Sequence, residues 1–297
     1  TCLLLFILAK KMRNTQTALL AVIIFAFLPL PYDKLLEVRP DLLATLLSLT
    51  GIYLFSLSES KYRSKLLFIS GLLISSSLAV VPKTVFFLIP VLAVLVYKII
   101  RAIIFNRITI FRKKIIPFAV GIIIPVLIVT GLLVYFGRPD FGLYSISRMS
   151  GRVTETLGRK FYMLPNIFFY PNDTYYAMPG ISPTLKINLA IYILGILFGI
   201  ARLMGSLSDK DDHKNLTEFL MAGAFMANLY AFVKIYPLKH AQYLITLAPF
   251  VALYFADFWL VALNWLSLRI NFKFNSPWKK TIPIAAQFVL LLYIGFL

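Results

Sequence analysis

The sequence predicts an all-α protein, a polytopic transmembrane helix bundle of about nine membrane helices plus an N-terminal remnant. Three observations predict it. The 297 residues are 60% hydrophobic with a mean hydropathy of +0.84, and 14% are charged, where soluble domains average about 25% charged. Apolar runs of about 16–22 residues recur from end to end, close to the length that crosses the hydrocarbon of a bilayer. These runs lack the polar/apolar alternation of a membrane β-strand. Lipid offers no partner to a backbone N–H or C=O, so the runs must be helices.

The predicted segments are 1–9 (the remnant), 16–31, 41–57, 66–81, 84–100, 115–136, 186–204, 217–234, 242–263 and 282–297, forming one transmembrane domain over 1–297. The chain opens at Thr1 inside an apolar stretch and ends in another, which reads as a fragment truncated at both ends. The runs 16–31 and 66–81 are short for a full span. With Pro29, Pro31, Pro82 and Pro90 nearby, they suit helices that end against a cavity.

The loops alternate in charge. One set carries Lys10, Lys11 and Arg13; Lys61, Arg63 and Lys65; Lys98, Arg101, Arg107, Arg112, Lys113 and Lys114; Arg202, Lys210 and Lys214; and Arg269, Lys273, Lys279 and Lys280. The other carries Lys34 and Arg39, Lys83, and Lys234 and Lys239, together with the long segment 137–185. Basic residues in short loops mark the cytoplasmic side, so the first set is predicted inside and the second outside. Single cysteines introduced at 107 and 150 check this. In intact cells an impermeant reagent is expected to label position 150 and spare 107, and the reverse pattern overturns the orientation.

Within 137–185, Arg148, Arg152, Glu155 and Arg159 are spaced for one helix face and Met149, Val153 and Leu157 for another. That is the pattern of a helix lying in the membrane interface. The tract Pro165 to Pro183, with Tyr170, Tyr175 and Tyr176, reads as an ordered loop.

The net charge of +18 is spread over short loops. It therefore reads as topology and contact with anionic membrane lipids, not as a nucleic-acid surface. A single cysteine, Cys2, excludes an internal disulfide. Cys2, His213 and His240 lie far apart, so no metal site and no cofactor is predicted.

Ionisable groups at the external edge are the candidates for chemistry, because charge near hydrocarbon is costly unless it faces protein, water or ligand. Arg39-Pro40-Asp41 opens a leucine-rich helix, Lys83 follows Val81-Pro82, and Lys239-His240 precedes Gln242-Tyr243-Leu244. Proline is well placed in a first helical turn, and there the helix dipole favours an anion such as Asp41. Taken singly, Asp41 is a helix cap, Lys83 and Lys239 are snorkelling lysines and His240 is an interfacial hydrogen-bonder. Taken together, one carboxylate and several cations suit a lipid phosphate. The cations would stabilise its developing charge, and the carboxylate would orient or deprotonate an acceptor hydroxyl. Asp257, within Phe255-Ala256-Asp257-Phe258-Trp259, falls in the cytoplasmic half of the 242–263 segment and reads as a structural hydrogen-bonding group.

These same residues carry a family resemblance. Arg39-Pro40-Asp41, Lys83 at the next external turn, and Lys239-His240-Ala241-Gln242-Tyr243-Leu244 leading into Pro249 resemble the membrane-embedded C-type glycosyltransferases (GT-C) over about residues 1–265. The nearest branch is the dolichyl-phosphate-mannose protein mannosyltransferase-like group, which includes bacterial lipopolysaccharide sugar transferases. The resemblance implies a multi-pass enzyme, in the plasma membrane of a prokaryote. It implies transfer of a sugar from a polyprenyl-phosphate carrier, dolichyl or undecaprenyl, to a lipid, glycan or protein acceptor on the external face. Asp41 would occupy the family's second acidic position, and Lys83, Lys239, His240 and Tyr243 would hold the donor phosphate. Arg39, Arg148 and Arg152 are secondary candidates. The family's main catalytic carboxylate lies in a first external loop that would precede Thr1, so the fragment is expected to be inactive alone. A transporter or flippase for a lipid-linked or anionic solute is the alternative. That class carries internal repeats and charges near the midplane, and neither is prominent in this sequence.

Overall fold

The computed structural model describes residues 1–28, 40–61, 63–104, 114–137, 183–208, 212–235, 245–273, 285–286 and 289–290. Among them are nine α-helices: α1 Cys2–Met12, α2 Thr15–Phe27, α3 Pro40–Lys61, α4 Ser64–Val80, α5 Val85–Ile104, α6 Ile116–Tyr135, α7 Pro183–Ser208, α8 Asp212–Tyr230 and α9 Ala248–Lys273. A 3-10 turn, Pro82–Thr84, joins α4 to α5, and α8 runs into a π-helical turn, Ala231–Ile235. Six helices are long and apolar enough to cross a membrane, namely α3 and α5 to α9, while α2 and α4 are apolar but shorter. The protein is a polytopic helical membrane bundle. Most of the predicted segment 282–297 and the interfacial helix at 148–159 lie outside the described residues.

Proline sets several helix ends. A residue before proline is pushed out of the α region, and Leu28 (ψ 126°) before Pro29 and Val81 (ψ 107°) before Pro82 stop α2 and α4. The sequence places a helix start at 242, but the helix begins at Ala248, with Pro249 in its first turn. Proline is tolerated there because the first N–H groups have no intrahelical acceptor.

The described helices gather into two compact units. The first holds α1, α2, α9 and most of α7. The α1–α2 turn is fixed by Asn14, whose side-chain oxygen accepts hydrogen bonds from Thr17 N (2.8 Å) and Thr17 Oγ1 (3.1 Å). Such a cap is worth about 1 kcal/mol. Beside it, Arg13 Nε donates to Asp257 Oδ2 of α9 at 2.5 Å, with both side chains nearly out of solvent. Asp257 therefore has the structural partner its sequence setting calls for. Gly195 of α7 admits α9 closely, since a β-carbon there would lie 3.0 Å from the Val251 carbonyl oxygen. The rings of Phe198 and Phe258 meet edge-on at 5.8 Å.

The second unit is built on α4. Ser48 Oγ donates to Ser77 Oγ (2.8 Å) and Ser70 Oγ to the Gly51 carbonyl (2.7 Å). As the partner number falls while the first rises, α3 and α4 are antiparallel. On its other face α4 meets α6. A β-carbon on Gly71 would lie 2.3 Å from Phe118 O, one on Gly121 would lie 2.2 Å from Phe68 O, and Ser75 Oγ donates to Ile122 O at 2.8 Å. These contacts centre on a Gly71–Gly121 crossing, and alternating topology with α5 between them makes α4 and α6 parallel. Close backbone approach through small residues is how membrane helices associate when lipid removes the hydrophobic drive. Gly121→Ala is expected to destabilise the protein by about 1–3 kcal/mol, the usual cost of overpacking. Thermal unfolding in detergent measures it, and an unchanged midpoint contradicts the close crossing. Gly223 of α8 serves α5 in the same way, with its missing β-carbon 2.9 Å from the ring of Pro90.

Candidate active site

Asp41 and Lys83 both belong to the second unit, and the hydrogen-bond register sets their levels. α3 begins at Pro40, so Asp41 falls in its first turn, half-buried. Thr45 and Ser48 follow it at helical spacings of four and three, which places all three on one face. Thr45 and Ser48 are fully buried. Thr45 Oγ1 donates back to the Asp41 carbonyl at 2.7 Å. Continuing the antiparallel register from Ser48–Ser77 by seven residues on α3, about 10 Å of helix, brings Asp41 level with the end of α4 and the turn that follows it. Lys83 is the central residue of that turn and is half-buried. Asp41 and Lys83 thus lie at one end of the unit.

Three buried hydroxyls tie the turn to the helices. Ser48 donates to Ser77, Ser77 Oγ lies 3.2 Å from Thr84 Oγ1, and Thr84 donates to the Val81 carbonyl at 2.8 Å. The π-helical turn Ala231–Ile235 ends α8. π-Turns are rare and recur at functional sites. This one lies just before the segment that bears Lys239, His240 and Tyr243. Those three residues, with Arg39, Arg148 and Arg152, lie outside the described residues.

Two further ionisable groups of this unit lie outside the site candidates that the sequence offers. Glu218 of α8 is 6% exposed. Lys98, one of the predicted cytoplasmic bases, turns its Nζ over the Phe55 ring at 5.9 Å from the centroid. A cation in that position is held by the ring quadrupole. Phe55 follows Asp41 by fourteen residues, about 21 Å along α3, so this contact lies far from the Asp41 end. An acid inside the apolar run 215–233 was the available signal for Glu218.

A helical membrane bundle with a carboxylate and a lysine at one end is the class that fold and geometry define. Residues 1–134 match the family model described as dolichyl-phosphate-mannose-protein mannosyltransferase. The match covers 134 of the 297 residues and is a likeness over that stretch. It spans α1 to the last turn of α6 and includes Arg39, Asp41 and Lys83. Arg148, Arg152 and the 239–244 motif lie beyond it. No curated protein and no solved structure matches the chain.

Proposed function

We propose that the protein transfers a sugar from a polyprenyl-phosphate carrier to a lipid, glycan or protein acceptor at the external face of a prokaryotic plasma membrane. The observation that carries the reading is the family match over 1–134, whose span contains Asp41 and Lys83 at one end of one unit. In the proposed reaction an acceptor hydroxyl attacks the anomeric carbon as the bond from that carbon to the carrier phosphate breaks. The hydroxyl proton passes to a carboxylate and the phosphate leaves with the bonding electrons. Asp41 orients the acceptor from the second acidic position. Lys83, with Lys239, His240 and Tyr243, holds the phosphate, whose charge grows as the bond breaks; a preorganised cation is most effective at that moment. Arg39, Arg148 and Arg152 are candidates for carrier contacts at the membrane surface.

The test is turnover by the full-length protein in proteoliposomes with polyprenyl-phosphate mannose first, then other hexoses and pentoses. Glycosylated acceptor and free polyprenyl phosphate are expected in equal amounts. Movement of an intact lipid-linked sugar across the bilayer without bond cleavage overturns the reading in favour of a flippase.

A further inference from the structure

The hydroxyls of Ser48, Ser77 and Thr84 have no solvent exposure at all, and they join three separate elements at one level. A buried hydroxyl is costly unless it is hydrogen-bonded, and close packing of α3 on α4 needs none of them. A hydroxyl has a single proton, and the arrangement accounts for each. Ser48 gives its proton to Ser77, and Thr84 gives its proton to Val81 O. Ser77 shares its own between Ile74 O at 2.7 Å and Thr84 at 3.2 Å. The chain of contacts begins one helical turn below Thr45, which bonds the Asp41 carbonyl, and ends on the residue next to Lys83. Removing a hydroxyl cuts a link between these elements while its neighbours keep other partners, Ser77 on Ile74 O and Val81 O on Thr84 N.

We infer that Ser48, Ser77 and Thr84 are positioning residues that set the spacing between the Asp41 end of α3 and the Lys83 turn. The inference rests on the proposed role of Lys83 in holding the carrier phosphate. Because a misplacement of about 1 Å can cost a hundredfold in rate, a rigid tie between the carboxylate-bearing helix and the cation-bearing turn acts on turnover and not only on stability. The tie works through the turn: Pro82 fixes one side of Lys83, and the Thr84 side chain anchors the other.

Thr84→Val keeps the shape and removes the hydroxyl. In the full-length protein it is expected to lower kcat, per folded protein, by about tenfold to a hundredfold, and Thr84→Ser, which keeps the hydroxyl, is expected to restore it. The deciding measurement is a double-mutant cycle with Lys83→Ala, with folded protein counted by thermal unfolding in detergent. If Thr84 acts through Lys83, the double variant is no slower than Lys83→Ala alone. Independent, multiplying losses overturn the positioning role and leave a structural one. Wild-type kcat in Thr84→Val, with only a lowered melting temperature, overturns it as well. Near-wild-type transfer by Lys83→Ala itself would refute the phosphate-holding role first, so the two failures are told apart.

Discussion

Asp41→Asn is expected to reduce sugar transfer by about a hundredfold or more, within the range for losing a positioned acid or base, while the protein still inserts and folds. The substitution keeps shape and hydrogen-bonding capacity in the first turn of α3. What it loses structurally is a favourable dipole contact worth about 0.3–1 kcal/mol, too little to unfold a bundle. On the cationic side, Lys239→Ala is expected to cost about 2–4 kcal/mol of transition-state stabilisation, the scale for one preorganised donor. Lys210→Ala, on the predicted cytoplasmic side, leaves transfer unchanged. All are made in the full-length protein and read as transfer from polyprenyl-phosphate sugar in proteoliposomes, with expression followed in parallel. Near-wild-type rates for both Asp41→Asn and Lys239→Ala return these residues to a helix cap and an interface anchor.

The largest expected loss of stability is at the Arg13–Asp257 pair. Asp257→Ala leaves the Arg13 guanidinium with its 2.5 Å partner gone in a nearly dry setting, and breaking a buried pair from one side costs about 3–5 kcal/mol. That is a large part of the roughly 5–15 kcal/mol that holds a folded protein together. Replacing both partners with apolar residues, as in Arg13→Met with Asp257→Leu, is expected to recover much of the loss, since a packed apolar pair is often as stable as a buried ion pair. Thermal unfolding of the detergent-solubilised variants measures this. A double variant as unstable as Asp257→Ala would show that the site needs charge itself. Because Asp257 is assigned no role in transfer, rate per folded molecule is expected to be unaffected.

The helices were legible because lipid permits little else. An apolar run of bilayer length must satisfy its own backbone, and hydropathy alone placed α5, α6 and α8 to within a few residues. The start of α9 was misplaced because the run from 242 is apolar, whereas the structure starts the helix at Ala248, one residue before Pro249. The tertiary partnerships were not legible. Arg13 and Asp257 lie 244 residues apart, and a lone acid in an apolar run gives no sign of which cation answers it. Gly71 and Gly121 read as ordinary glycines, since what makes them necessary is the carbonyl of the other helix. At the candidate site the sequence singled out the charged residues Asp41 and Lys83 by their placement at an apolar edge. It passed over the uncharged hydroxyls between them, although Ser75-Ser76-Ser77 in an apolar helix was a usable sign.

The α4–α6 crossing has a consequence for how this stretch of sequence can vary. The outward side of α6 is apolar and open, with Val126, Leu127, Ile128, Leu132 and Val134 all exposed, so lipid asks of them only that they be greasy, and Leu, Ile, Val and Phe are interchangeable there. The information in α6 is concentrated in a stripe through Phe118, Gly121 and Pro125, its buried residues. Related chains can therefore drift freely around most of the circumference of this helix while Gly121 and its counterpart Gly71 stay small, since a side chain at either would be driven into a carbonyl of its neighbour.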